Sequence, residues 1–246
     1  MEDLGVIRKV EKPTDWCVGM VVVAKTKGVP EEKQKVRICV DLTKLNESVQ
    51  REKHDLPSVD QTLGRLAGAK VFTKLDANSV FWQIPLSTNS EELTTFITPF
   101  GRYCFRRLPF GITSAPEYFQ KRMNKMLDGL PGVLCMMDDI IIFGDSREEH
   151  DERVKAELKR LEENGVTLNF GKCDFAKSSV SHLGHVVSAQ GIEADPAKVQ
   201  AIMEMEQPTN VGDIRRFLGM ANQLGKFSPK LATITKPLRD LTNKQN

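Results

Sequence analysis

The chain has 246 residues, 40% hydrophobic and 28% charged, with a net charge of +2, which excludes a disordered or collagenous protein and allows one large domain or two modest ones. No apolar run has the length of a membrane span, and the start Met1-Glu2-Asp3-Leu4 is no signal peptide. Five scattered cysteines, Cys17, Cys39, Cys104, Cys135 and Cys173, fit reduced thiols rather than a disulfide framework, so an intracellular protein is expected.

Two β-branched runs, residues 21–24 and 36–40, flank the polar, proline-containing segment 25–35, which predicts a hairpin with a long loop. Its basic residues, Lys25, Lys27, Lys33, Lys35 and Arg37, can grip a triphosphate. Arg37 is the sharper candidate, because a guanidinium binds phosphate oxygens bidentately. Ser58 and Gln61 have capping-box spacing ahead of Val59, Leu63 and Leu66, and Gly68 stops that helix. The strand-like run Val71-Phe72-Thr73-Lys74-Leu75 ends in Asp76. Phe81 follows five residues later, where an aromatic either closes the floor of a sugar pocket or packs in the core.

Residues 108–116 form a loop stiffened by two prolines that leads into a helix. Ser114 is its expected cap, Pro116 fits its first turn, Phe119, Met123, Met126 and Leu127 make its buried stripe, and Gly129 ends it. Gln120 lies on the first turns, which can face an anionic ligand.

The most informative stretch is Val133 to Phe143, two apolar runs around Asp138-Asp139 that predict a β-hairpin with an acidic tip. Adjacent carboxylates repel and resist desolvation, so a fold that sets them at the end of buried strands supplies a cation; the alternative is a solvated turn. Asp76 adds a third, and three carboxylates at strand ends can hold two divalent ions about 3.5–4 Å apart for in-line nucleotidyl transfer. Ser146 and Glu149 then cap a helix with Val154, Leu158 and Leu161 inward, ending at Asn164-Gly165. Strand, helix, hairpin, helix is close to the split βαβ order of a ferredoxin-like domain. Lys172, Cys173, His182 and His185 do not make a zinc set, since one cysteine is too few. From Asp195-Pro196 the pattern is helical, with Val199, Ile202 and Met203 inward. Asn210 caps a second segment carrying Ile214, Phe217, Leu218 and Ala221, and a short turn follows Pro229.

Taken in order, Arg37-Ile38-Cys39-Val40-Asp41-Leu42 through Leu45-Asn46, Lys74-Leu75-Asp76 through Phe81-Trp82-Gln83-Ile84, residues 108–120, Met136-Met137-Asp138-Asp139 and His182-Leu183-Gly184-His185 form a specific set. Over nearly its full length the chain resembles the reverse transcriptase of gypsy-type long-terminal-repeat retrotransposons. The resemblance implies an α+β right-hand polymerase. Fingers and a ferredoxin-like palm, with β-hairpin fingers, would occupy 1–190, and a small helical thumb or connection-like segment 191–246. No ribonuclease H domain is expected, so a template would be copied but not degraded.

The resemblance further implies an RNA-directed DNA polymerase, a nucleotidyltransferase that adds dNTPs to a primer annealed to an RNA or DNA template with two Mg2+ ions, for which Mn2+ can substitute. Asp76, Asp138 and Asp139 would be the catalytic and metal-binding carboxylates, and Lys172 the proton donor to the leaving pyrophosphate. Arg37, a lysine of the Lys25/Lys27 pair, Ala77, Phe81, Phe110 and Gln120 would bind the nucleotide, with Phe81 excluding a ribose 2′-hydroxyl. Met136, Met137, Leu183 and Gly184 would position the primer. Two departures stand out: Met136 where the family has tyrosine, and Val80 where close relatives have glycine, whose added bulk would narrow the sugar pocket. Downstream ribonuclease H and integrase segments of a Pol polyprotein are expected partners, with no membrane contact. The expected location is cytoplasmic, in retroelement particles, with access to the nucleus. Two rivals are a remnant that binds primer-template without synthesis and a nucleotide cyclase on a similar palm. Residues 108–120 and the helical C-terminal unit argue against the cyclase.

Overall fold

A computed structural model of the chain describes residues 1–24, 36–228 and 230–243. In chain order the elements are β1 (Ile7–Lys9), β2 (Met20–Ala24), β3 (Val36–Val40), α1 (Thr43–Asn46), α2 (Val59–Leu66), β4 (Val71–Asp76), α3 (Thr88–Leu93), β5 (Phe96–Thr98), β6 (Gly101–Phe105), α4 (Ala115–Leu127), β7 (Val133–Met136) and β8 (Asp139–Gly144). They are followed by α5 (Arg147–Glu163), β9 (Asp174–Lys177), β10 (Ser179–His182), β11 (His185–Ser188), β12 (Gly191–Ala194), α6 (Pro196–Met203), α7 (Val211–Gln223), α8 (Leu231–Ile234) and α9 (Lys236–Asp240).

The central sheet runs β7-β8-β4-β9, the strand order of a ferredoxin-like unit, with α4 and α5 as its two crossovers. Ile140, Ile141 and Ile142 are all fully buried, because β8 is covered on both faces and a doubly covered strand reads as a continuous apolar run. On one face Leu75, Ile140, Ile142, Val133 and Cys135 pack with Phe119, Met123, Met126 and Leu127 of α4 and Leu161 of α5. On the other, Phe72, Leu134 and Ile141 meet Leu63 and Leu66 of α2 and Val180 and Val187 of the β10-β11-β12 sheet. Each such fully buried side chain contributes about 1.5–3 kcal/mol. Strands β1-β6-β5 form a separate small sheet over Val6, Phe96 and Phe105, and β2-β3 form a two-stranded ribbon.

Several sequence expectations are met in detail. Ser58 makes a complete capping box with Gln61 at the start of α2, and Gly68 follows that helix at φ 89°. Others are corrected. Ser114 makes no side-chain cap to α4. Ser146 accepts from the Glu149 amide, but the Glu149 carboxylate reaches the Asp145 amide, so that box is only half made. The inner face of α5 is His150, Glu157 and Leu161, while Leu158 is 37% exposed. Met203 of α6 is exposed too. The helical segment starts at Asp195, where the sequence pattern puts it, and residues 191–194, at the head of the expected helical unit, form β12 and pair with β11. The helical segment joins the sheet through the His185 and Phe227 rings, 5.5 Å apart.

One buried polar network crosses the sheet. Thr73 Oγ1 lies 2.9 Å from His150 Nε2, His150 Nδ1 lies 2.9 Å from Asp151, and the Ala176 amide donates to Thr73 Oγ1 at 3.0 Å. That last bond bends β9: Ala176 has φ 51°, and the β4–β9 register shifts between Phe72 and Lys74. Among the described residues no helix is long and apolar enough to cross a membrane.

Candidate active site

Antiparallel register builds the site. Asp76 and Asp139 are Cα partners at the shared end of β4 and β8, so both side chains leave the same face of the sheet. Asp138 is exposed at the tip of the two-residue β7–β8 turn, and its carbonyl accepts the Ala77 amide at 2.8 Å, tying the turn to the end of β4. Of the two tip residues only Met137 has positive φ, 57°, as at the first position of a type II′ turn, where glycine is preferred.

Gln120 holds that conformation. Fully buried, it accepts the Met137 amide through Oε1 at 2.8 Å and donates from Nε2 to the Cys135 carbonyl and to Asn124 Oδ1, each at 2.8 Å. The polar atoms of Gln120, expected to meet the nucleotide, here serve the hairpin from beneath. Cys135 also contributes, its thiol donating to the Met137 carbonyl at 3.4 Å. Burial, then the nearby Glu157 and Asp139 carboxylates, push this thiol far above its ordinary value, so it stays protonated.

The carboxylates do not form a ready-made cage. Among the described residues, no three His, Cys, Asp or Glu side chains converge as a metal site. Asp76 Oδ2 lies 3.3 Å from Lys172 Nζ. Asp139 Oδ2 lies 2.8 Å from Lys74 Nζ and 3.5 Å from His182 Nδ1. Burial alone would raise the Asp139 pKa, but His182 and Lys74 together outweigh it and hold the group below its usual value. At 3.5 Å the imidazole is too far for a full hydrogen bond, so Lys74 is the stronger partner. Hard carboxylate oxygens offered one or two at a time suit a small divalent cation that completes its shell with water and substrate phosphates. The donor set fits such an ion arriving with its ligand.

Beside the carboxylates stands an aromatic wall. Phe81 and Phe110 rings are 5.0 Å apart, Phe119 backs Phe81 at 6.2 Å, and Trp82 flanks Phe110 at 6.0 Å. Phe110 is 52% exposed and Phe81 only 8%, so Phe110 presents the open face and Phe81 supports it. Val80, expected to narrow a sugar pocket, lies in the core cluster with Leu75, Ile84 and Phe81. Asn46 fixes the loop carrying Phe110, donating to the Gly111 carbonyl at 2.8 Å and accepting the Thr113 amide at 3.0 Å.

Ala77 is buried, its amide engaged by Asp138, and Met136 is half-buried at the end of β7. Leu183 and Gly184 form the two-residue turn between β10 and β11, with φ 50° and 79°, closed by the His182–His185 pair. Arg37 pairs through its backbone with Val23; its side chain, Lys25 and Lys27 lie outside the described residues. The fold thus gathers Asp76, Asp138, Asp139 and Lys172 at one end of the sheet and sets Gln120 beneath it. Sequence reasoning missed Lys74 and His150. The available signal for Lys74 was a lysine sharing a strand face with Phe72 in a strand of buried character; His150 sat unread on a helix inner face.

The reverse transcriptase (RNA-dependent DNA polymerase) family matches residues 24–187. The chain is 36% identical over 240 residues to the retrovirus-related Pol polyprotein from transposon opus of Drosophila melanogaster, covering 97% of this chain and 24% of that one. It is 34% identical over 242 residues to the transposon Tf2-3 polyprotein of Schizosaccharomyces pombe, covering 98% and 18%. It therefore spans a quarter or less of the length of these relatives. Among solved structures, a foamy viral protease-reverse transcriptase in complex with double-stranded DNA aligns with a TM-score of 0.87 at 23% identity, over 98% of this chain and 41% of that one. A complex of the foamy viral enzyme with RNA/DNA hybrid gives 0.78 at 21%, over 98% and 32%. These likenesses establish the right-hand polymerase fold. With most of its length matched and its acidic hairpin in register, the chain belongs to the reverse transcriptase (RNA-dependent DNA polymerase) family.

Proposed function

We propose that this chain is the polymerase segment of a retrotransposon Pol polyprotein and adds dNTPs to a primer 3′-hydroxyl on an RNA or DNA template. The observation that carries the reading is the register pairing of Asp76 with Asp139, with exposed Asp138 at the adjoining tip. Two Mg2+ ions, bound with the substrates, would activate the hydroxyl and neutralise charge developing at the transferred phosphorus. Asp76 and Asp138 would hold them through their carboxylate oxygens. Lys172 would hold a proton for the departing phosphates, a role supported by the approach of its ammonium to Asp76 at 3.3 Å. Phe110 offers a face for the incoming nucleotide, kept upright by Phe81 and Trp82. Leu183 and Gly184 guide the primer end. Ribonuclease H and integrase segments of the same polyprotein would act on the product.

Primer extension on an RNA template annealed to a DNA primer, with Mg2+, tests this. The parent chain extends, while Asp76→Asn and Asp138→Asn lose about a thousandfold or more in rate yet fold and bind the duplex. Duplex binding weakens steeply with salt, since it rests mainly on phosphate contacts. Binding without extension by the parent would overturn the reading in favour of a nucleic-acid-binding remnant, and template-free turnover of nucleotide would overturn it in favour of a cyclase.

A further inference from the structure

Lys74 occupies a place where the strand pattern calls for an apolar side chain. It alternates with buried Phe72 on the face that meets the β10-β11-β12 sheet, and its Cα partner is the fully buried Ile141. A lysine there must desolvate part of its stem and charge, which is tolerated only with specific partners. It has two. Its Nζ lies 2.8 Å from Asp139 Oδ2 and donates to the Ser181 carbonyl at 3.4 Å. Ser181 in turn donates its hydroxyl to Asp195 at 2.7 Å, and the Asp195 amide reaches the Gly184 carbonyl at 3.4 Å. A polar path therefore runs from the catalytic hairpin to Ser181 in β10 and, through Asp195, to the Gly184 end of the Leu183–Gly184 turn.

His182 adds a second tie. Its side chain is 1% exposed, neither ring nitrogen has a hydrogen bond of normal geometry among the described residues, and Nδ1 lies 3.5 Å from the same Asp139 oxygen that Lys74 holds. A buried, under-bonded imidazole is costly. A movement of a few tenths of an ångström would complete its bond to Asp139.

We propose that Lys74 is a positioning residue, which with His182 uses Asp139 as an anchor to fix the β10–β11 turn against the carboxylates of β4 and the β7–β8 tip. The nucleic-acid part of this inference rests on the proposed polymerase function: the turn that guides the primer end and the carboxylates that act on it are set in register by one ammonium.

The test uses the full chain with Lys74→Met, Lys74→Arg, Asp139→Asn and the Lys74→Met/Asp139→Asn double variant. Without substrate or metal, amide hydrogen exchange over residues 179–188 is expected to quicken about tenfold in Lys74→Met and Asp139→Asn, to stay near the parent in Lys74→Arg, and to leave α4 unchanged. In primer extension, Lys74→Met loses about tenfold to a hundredfold in kcat, with the dNTP KM and the metal-free duplex affinity within about twofold. The double variant is no slower than the slower single variant, because both changes cut one link. Unchanged exchange over 179–188, or losses that multiply in the double variant, overturn the proposal. If Lys74→Met does not fold, Asp139→Asn and Lys74→Arg still decide it by exchange. A parent chain that does not extend primers defeats the polymerase reading alone, and the exchange comparison still tells whether Lys74 couples the two hairpins.

Discussion

The β7–β8 and β10–β11 hairpins are built alike and secured differently. Each closes with a two-residue turn, and each puts a bulky residue at positive φ in the first position, Met137 at 57° and Leu183 at 50°. Such a conformation costs a non-glycine residue about 1–2 kcal/mol and persists only where the surroundings impose it. The first turn is imposed from inside, by the fully buried Gln120. The second is held partly from the surface, by the bond of exposed Ser181 to Asp195, and partly from inside, by buried His185, whose Nδ1 lies 3.0 Å from the Leu183 carbonyl. A tip that carries charge is thus clamped by one side chain of the core, whereas a tip that carries an apolar side chain shares its hold between a buried imidazole and a surface bond that solvent can compete for.

The largest effect should come from removing the inner clamp. Gln120→Leu leaves the Met137 amide and the Cys135 carbonyl without a partner, at about 2–4 kcal/mol by urea unfolding, and misplaces Asp138 enough to cost about a hundredfold in extension. Under the same hairpin lies Glu157, fully buried with neither carboxylate oxygen hydrogen-bonded among the described residues; burial pushes its pKa up to about 7, only partly opposed by Arg160. Its unfolded value is near 4.5. Between these values the folded state keeps a proton that the unfolded state releases, so stability falls as pH rises from 4.5 to about 7 and levels off above it. Glu157→Gln should remove that slope and gain about 1–3 kcal/mol at pH 8, read by unfolding across pH.

The outer clamp is weaker. Asp195→Ala, which removes the α6 cap and the Ser181 bond, should cost about 1–2 kcal/mol of thermal stability. Smallest of all, Leu183→Asn creates the Asn-Gly pair that a turn with two positive φ values prefers, and should stabilise by about 0.5–1 kcal/mol. If Leu183 guides the primer end, the same variant should extend primers more slowly despite its higher melting temperature.

The contrast also explains what could be read from the sequence. Short-range chemistry was legible: the Ser58 capping box, the three isoleucines of a doubly covered strand, and an acidic pair between strand-length runs each depend on neighbours a few residues away. Side chains whose role depends on distant partners were not. Gln120 on a helix gives no sign of whether it faces a ligand or a strained turn 17 residues later. His150 and Glu157 lie on the inner face of α5, where a polar residue at helical spacing reads as solvent-facing, and so Leu158 was taken for the buried position. The family motifs located the carboxylates because they fix order along the chain, but not that Asp139 turns toward Lys74.

The bent strand β9 has a bearing on how copies of the chain behave when crowded. It is an outer strand of the central sheet, and a straight outer strand offers a row of unsatisfied peptide groups to which another molecule can add. Here Ala176 spends its amide on Thr73, the register slips, and Asp174 and Lys177 keep charge along the rim. An arriving strand finds neither a straight ladder nor an uncharged border there, so this edge of the sheet that carries the chemistry is a poor template for strand addition.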